Sequence, residues 1–186
     1  MYRKNGSYFN QGFTLIELML VIALIGVISA LSFSSITNYN QKQQLDTAST
    51  DVSNAFQIAK SRAINGVVNI NGSKACTTPL IGYRVSIEKD ASTYKIVMIC
   101  GPSNDNPQEY HPVATYSIDK YNAQFDSSNI GNKFQFDFDG SVYFATSGNP
   151  SPLTSPLSIT ISETGSSFKS VINICNDGRV LEGQSC

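Results

Sequence analysis

Glu17 is the one ionisable residue in 21 consecutive positions, Phe13 to Phe33. A carboxylate inside so apolar a run is expensive wherever water is absent, so it either snorkels to a polar boundary or awaits a positive partner. Elsewhere the chemistry-bearing residues are few. His111 is the sole histidine, precedes a proline, and reads as a surface loop residue with no base or nucleophile partner in view. Asp137-Phe138-Asp139-Gly140-Ser141 has the acids of a calcium loop, but its glycine falls two positions early and no glutamate closes it, so a turn between strands explains it better. The cysteines Cys76, Cys100, Cys175 and Cys186 show no C-x-x-C spacing, which disfavours a zinc site. We therefore expect no enzyme, no metal and no cofactor.

Charge narrows the classes further. Of 13 Lys+Arg and 14 Asp+Glu, 11 and 13 follow Ser34, a net of -2 that offers no global attraction to a polyanion. Any nucleic-acid contact would need a local patch, and Arg179 in Asn176-Asp177-Gly178-Arg179-Val180-Leu181 reads by itself as a residue of a Gly-rich turn closing the last strand.

The elements that position these residues follow from periodicity. At 1.5 Å per residue a helix over 13–33 measures about 31 Å, enough to cross a hydrocarbon core of roughly 30 Å. Arg3 and Lys4 precede this span and the next basic residue is Lys42, which places the N-terminus in the cytoplasm and everything after about Ser34 outside. Helical spacing then continues through Leu45, Ala48, Val52, Ala55, Phe56, Ala59 and Ala63, up to a stop at Asn65-Gly66. The expectation is one helix over Phe13–Asn65, about 80 Å long, apolar all round over 13–33 and amphipathic over 34–65. From residue 66 to 186 short β-rich runs alternate with Gly, Asn, Asp, Ser and Pro clusters. Tyr83–Glu88 and Tyr94–Cys100 form the clearest hairpin, turning over Lys89–Ser92. Val113–Ile118, Phe134–Phe138, Val142–Ala145, Leu157–Ile161 and Val171–Cys175 complete the set, with Phe134, Phe136 and Phe138 expected in the core. Gly101–Pro112 and Ser147–Pro156 read as exposed loops. All four cysteines lie on the outer side, where disulfides form. Of the three possible connectivities, the shorter loops favour Cys76–Cys100 with Cys175–Cys186.

The junction Gly12-Phe13-Thr14-Leu15-Ile16-Glu17, behind a short polar, basic leader, resembles that of the type IV pilins and the type II secretion pseudopilins. The resemblance implies a prepilin leader over 1–12, cleavage after Gly12 by a prepilin peptidase, N-methylation of Phe13, and pairing of Glu17 with the terminal amine of a neighbouring subunit during assembly. It implies an α+β, pilin-like fold in which one long helix packs on an antiparallel β-sheet or sandwich domain. The absence of a proline before Pro79, with Ser34 where such a proline often falls, is similar to a minor subunit, and the Asn-Asp-Gly-Arg ending resembles the GspH/FimT group and its FimU-like members. The resemblance implies Arg179 as the candidate DNA contact, but the group's DNA-binding members carry a second arginine where this chain has Leu181, so DNA is not the expected partner. On this resemblance the chain is a minor pilin of a type IV pilus. It would join a tip or priming complex with other minor and major pilins and support pilus assembly and twitching motility. The alternatives are a GspH-type minor pseudopilin of a type II secretion system and a DNA-binding pilin for uptake. The implied location is the inner membrane, single-pass, with the C-terminal domain in the periplasm and, after assembly, in the fibre at the cell surface.

Overall fold

The computed structural model describes residues 13–68, 76–102, 109–146 and 150–186, with the side chains of residues 30–35 and 109 outside that set. The expected leader over 1–12, Gly12 included, lies outside the described residues. The chain divides into two compact units, Met1–Asn40 and Gln41–Cys186.

Helix α1 spans Leu15–Ile64, two residues shorter at its start and one at its end than the spacing predicted. In the first unit Thr14 stands just before the helix and hydrogen-bonds reciprocally with Glu17. The Glu17 amide donates to Thr14 Oγ1 at 3.3 Å, while the Thr14 amide and hydroxyl donate to Glu17 Oε2 at 3.1 and 3.0 Å. This is a capping box, which satisfies backbone donors that a helix N-terminus leaves open. The apolar side chains that follow are exposed on every face, from Leu15 to Ile28. Among the described residues no helix is long and apolar enough to cross a membrane; the apolar run over 13–33 has described side chains only as far as Ser29.

In the second unit α1 turns one face inward. Leu45, Ala48, Val52, Ala55, Phe56, Ala59 and Ala63 are all buried, the face that the three-and-four spacing picks out. The helix ends where expected, because Gly66 adopts φ +59°. Its amide donates to Ala63 O, and the Val67 amide donates to Arg62 O. These paired bonds are a Schellman closure, in which glycine accepts the left-handed conformation without a Cβ penalty.

Ten strands follow among the described residues: β1 Leu80–Ile87, β2 Thr93–Cys100, β3 Glu109–Ser117, β4 Ala123–Phe125, β5 Lys133–Asp137, β6 Val142–Ala145, β7 Ser151–Pro152, β8 Leu157–Glu163, β9 Lys169–Ile174 and β10 Val180–Glu182. They form a six-stranded sheet, β3-β2-β1-β5-β6-β7, and a four-stranded sheet, β10-β9-β8-β4, with every pairing antiparallel. Period-two alternation decides which side chains meet the helix. Tyr83, Val85 and Ile87 of β1, Tyr94, Ile96 and Met98 of β2, and Phe134 and Phe136 of β5 join Ile159, Ile161, Ile172 and Ile174 of the smaller sheet in one core with the buried helix face. Phe56 is the helix's principal contribution, meeting the rings of Phe134 at 5.3 Å and Phe136 at 6.2 Å edge-on.

Two expectations are corrected. Phe138 is 65% exposed rather than in the core, because β5 ends at Asp137 and the next residues turn. His111 lies in β3 opposite Met98 rather than in a loop, since β3 extends upstream through Pro112, which an edge strand tolerates. Arg84, which alternates with the core residues Tyr83 and Val85, is also only 7% exposed. Its Nη2 donates to Gln135 Oε1 at 2.8 Å, Gln135 Nε2 donates to Asp137 Oδ1 at 3.0 Å, and its guanidinium lies over the Tyr110 ring at 5.4 Å.

Candidate assembly site

The N-terminal candidate is Phe13 with Glu17. Phe13 is 81% exposed, and Phe13, Ile16, Glu17, Leu20 and Val21 line one groove of the first unit. The capping box uses Glu17 Oε2; among the described residues Oε1 accepts no hydrogen bond. Glu17 is thus locally braced with one oxygen left for a further donor. The brace would outlast the expected cleavage after Gly12, because Thr14 and Glu17 both lie downstream of it. Sequence reasoning singled out Glu17 but missed this local role, although the T-x-x-E spacing at the head of an apolar run signals it.

The C-terminal candidate, Arg179, sits in the turn between β9 and β10. Its amide donates to Asp177 Oδ1 at 3.0 Å and its Nε to Asp177 Oδ2 at 2.6 Å. The Arg179 amide first, and then its side chain, hold the Asp177 carboxyl below the usual carboxylate range. Gly178, at φ +76°, lets the turn close against the helix, where Lys60 Nζ donates to Gly178 O at 2.8 Å. A cavity of about 480 Å³ opens beside it, lined by Gln57, Lys60, Ile64, Arg179 and Leu181 among others. The Arg179 guanidinium is therefore engaged by its own chain, and Leu181 presents a hydrocarbon to the groove.

Cys76 is bonded to Cys100 and Cys175 to Cys186. The first ties the segment entering β1 to the end of β2; the second ties the end of β9 to the chain terminus, beyond β10. The Asp137–Ser141 segment is the turn joining β5 to β6: the Asp137 amide donates to Ser141 O, and Asp139 Oδ1 accepts from the Ser141 amide at 2.9 Å. Among the described residues no group of three or more His, Cys, Asp or Glu converges in a way that could hold a metal ion.

Helix, sheets and N-terminal arrangement together define an α+β protein of pilin-like fold. The family described as the prokaryotic N-terminal methylation motif matches residues 9–33, the stretch that contains Gly12, Phe13 and Glu17. Two curated relatives, both fimbrial proteins of Pseudomonas aeruginosa, are 32% identical over 83 residues, which is 44% of this chain and 54% of each relative. The chain thus spans about half the length of the relatives it matches. No solved structure matches. On these findings the N-terminal part of the chain is similar to that of type IV pilins.

Proposed function

We propose that this chain is a minor pilin of a type IV pilus, cleaved after Gly12, methylated at Phe13, anchored in the inner membrane through its apolar helix, and then drawn into a tip or priming complex with other pilins. The observation that carries the reading is the methylation motif over 9–33, set at the head of an apolar run, 13–33, whose lone carboxylate, Glu17, has one oxygen that accepts no hydrogen bond among the described residues. A buried carboxylate without a partner is strongly unfavourable, while docking it against a fixed ammonium removes most of that penalty. The function is one of binding; the covalent chemistry, cleavage and methylation alike, is done to the chain by the prepilin peptidase.

Two measurements test this. Intact mass of the matured protein should correspond to a chain starting at Phe13 with one added methyl. Glu17→Ala should abolish incorporation into fibres, whereas Thr14→Ala, which removes the two hydrogen bonds of the hydroxyl and keeps that of the Thr14 amide, should leave most of it. Equal loss in both variants would mean that Glu17 acts only as a cap. Deletion that stops protein secretion and leaves twitching intact would assign the chain to a type II secretion system instead.

A further inference from the structure

The smaller sheet ends at β10, which among the described residues pairs with β9 alone. Two hydrogen bonds fix its alternation: the Cys175 amide donates to Arg179 O, and the Gly183 amide to Val171 O. Arg179, Leu181 and Gly183 therefore turn their backbone groups towards β9, while Val180 and Glu182 turn theirs to the open side. The cavity of about 480 Å³ lies along that side. Gly178 to Leu181, four consecutive residues, form one wall, and Gln57, Lys60 and Ile64 of α1 belong to the other. Successive side chains point to opposite faces, so a groove that touches them all follows the strand's edge. Its charge is of one sign: Lys60 and Arg179 line it, and no acid does. Asp177 takes the Arg179 amide and Nε, and among the described residues the two Nη groups donate to nothing. Lys60 Nζ has three donors and two backbone acceptors, Gly178 O at 2.8 Å and Asp177 O at 3.5 Å. Both cations thus stand at the start of β10, whereas Glu182 stands at its end, where Oε2 accepts from Thr50 at 3.3 Å. Ile64, 49% exposed, and Leu181 supply hydrocarbon beside the cations.

We propose that this groove takes the C-terminal segment of another polypeptide, extended, apolar in its last side chain and ending in a free carboxylate. A guest running antiparallel to β10 ends where β10 begins, so its carboxylate meets Lys60 and Arg179 and its backbone exchanges a pair of hydrogen bonds with Val180. The last side chain, adjoining the carboxylate, packs against Ile64 and Leu181. The opposite direction carries the carboxylate to Glu182, where like charges repel. Two cations at one point suit a single terminal carboxylate. A nucleic-acid backbone spreads its charge along the groove, and Asp177 and Glu182 at either end oppose it. The proposal stands on the second unit alone and does not depend on the anchoring or assembly proposed above.

The test is fluorescence anisotropy with the detergent-solubilised full chain, disulfides intact. The probe is a pentapeptide of alternating leucine and threonine that ends in leucine, carries fluorescein at its N-terminus and has a free carboxylate. Binding should saturate, and the same peptide as its C-terminal amide should bind about tenfold more weakly, as loss of a charge-assisted hydrogen bond requires. N-methylation of the peptide backbone, which removes the donors to Val180, should weaken binding comparably. Arg179→Gln and Leu181→Asp should each do the same. Lys95→Gln, at a surface ion pair with Glu88 on another strand, should change nothing. Arg179 is exposed, so its variant keeps the test decisive if Leu181→Asp disturbs the fold. Equal binding of acid and amide, indifference to Arg179→Gln, or no saturable binding would overturn the proposal. So would displacement of the peptide by a short DNA duplex together with acid and amide of equal affinity, which would give the two cations to phosphate instead.

Discussion

Phe56→Ala tests whether α1 is part of the core of the second unit or merely lies upon it. Phe56 is 0% exposed, with the rings of Phe134 and Phe136 at 5.3 and 6.2 Å. Truncating a buried phenylalanine removes its transfer energy and leaves a cavity, at a combined cost of about 3–5 kcal/mol. The two edge-on ring contacts, about 0.5–1.5 kcal/mol apiece, account for part of that sum. Against a domain stability of roughly 5–15 kcal/mol, the loss is a large fraction. At about 2–4 °C per kcal/mol for a domain of this size, Tm should fall by about 6–20 °C. Ile58, on the same helix but 39% exposed, is the control; Ile58→Ala should cost under about 1 kcal/mol. Near-ultraviolet circular dichroism of the nine tyrosines follows the melt in the detergent-solubilised full chain with disulfides intact. A fall below about 3 °C, or one no larger than for Ile58→Ala, would refute the claim that the helix face and the phenylalanines form one packed core.

Other perturbations have equally definite outcomes. In Gly178→Ala a Cβ would meet Lys60 Nζ at 3.0 Å and Gly140 O at 3.2 Å from a backbone at φ +76°, so the variant should lose about 1–2 kcal/mol and its C-terminal turn should become more sensitive to protease, as limited proteolysis would show. Removing Cys76–Cys100 or Cys175–Cys186, with sequence separations of 24 and 11, should cost about 3 kcal/mol each by loop entropy, slightly more for the longer loop, measurable by denaturant titration of paired serine variants. The Asp177 carboxyl is held below its ordinary value by the Arg179 amide and side chain. Its contribution is therefore present above the unfolded value and lost as pH falls through the lower folded one. Hydrogen exchange at the Arg179 amide should accelerate, relative to intrinsic rates, below about pH 4, and Asp177→Asn should abolish that acid step.

Local rules carried much of this protein. The buried helix face from Leu45 to Ala63, the stop at Gly66, the hairpin of β1 and β2, and the Asp139-Gly140 turn each depend on residues within one or two turns of chain, so their signals lie side by side in the sequence. The capping box was equally local, written as Thr14 and Glu17 three apart.

What depended on distant partners was not legible. The alternation in β5 marks Phe134, Phe136 and Phe138 alike; only the end of its pairing with β1 decides that Phe138 is exposed. Arg84 reads as a solvent residue until Gln135, Asp137 and Tyr110 are brought beside it from other strands. The shortness of β10, the order of strands in the two sheets, and the position of β3 as the long open edge all follow from which strands pair, and pairing is settled by burial of a shared core rather than by any segment's own propensity. The sequence alone determined a lone acid in an apolar run, 13–33, an amphipathic helix after it and a β-rich remainder. Tertiary structure decided which edges stay open and which polar groups are covered, because hydrogen-bond satisfaction and close packing are properties of elements in contact.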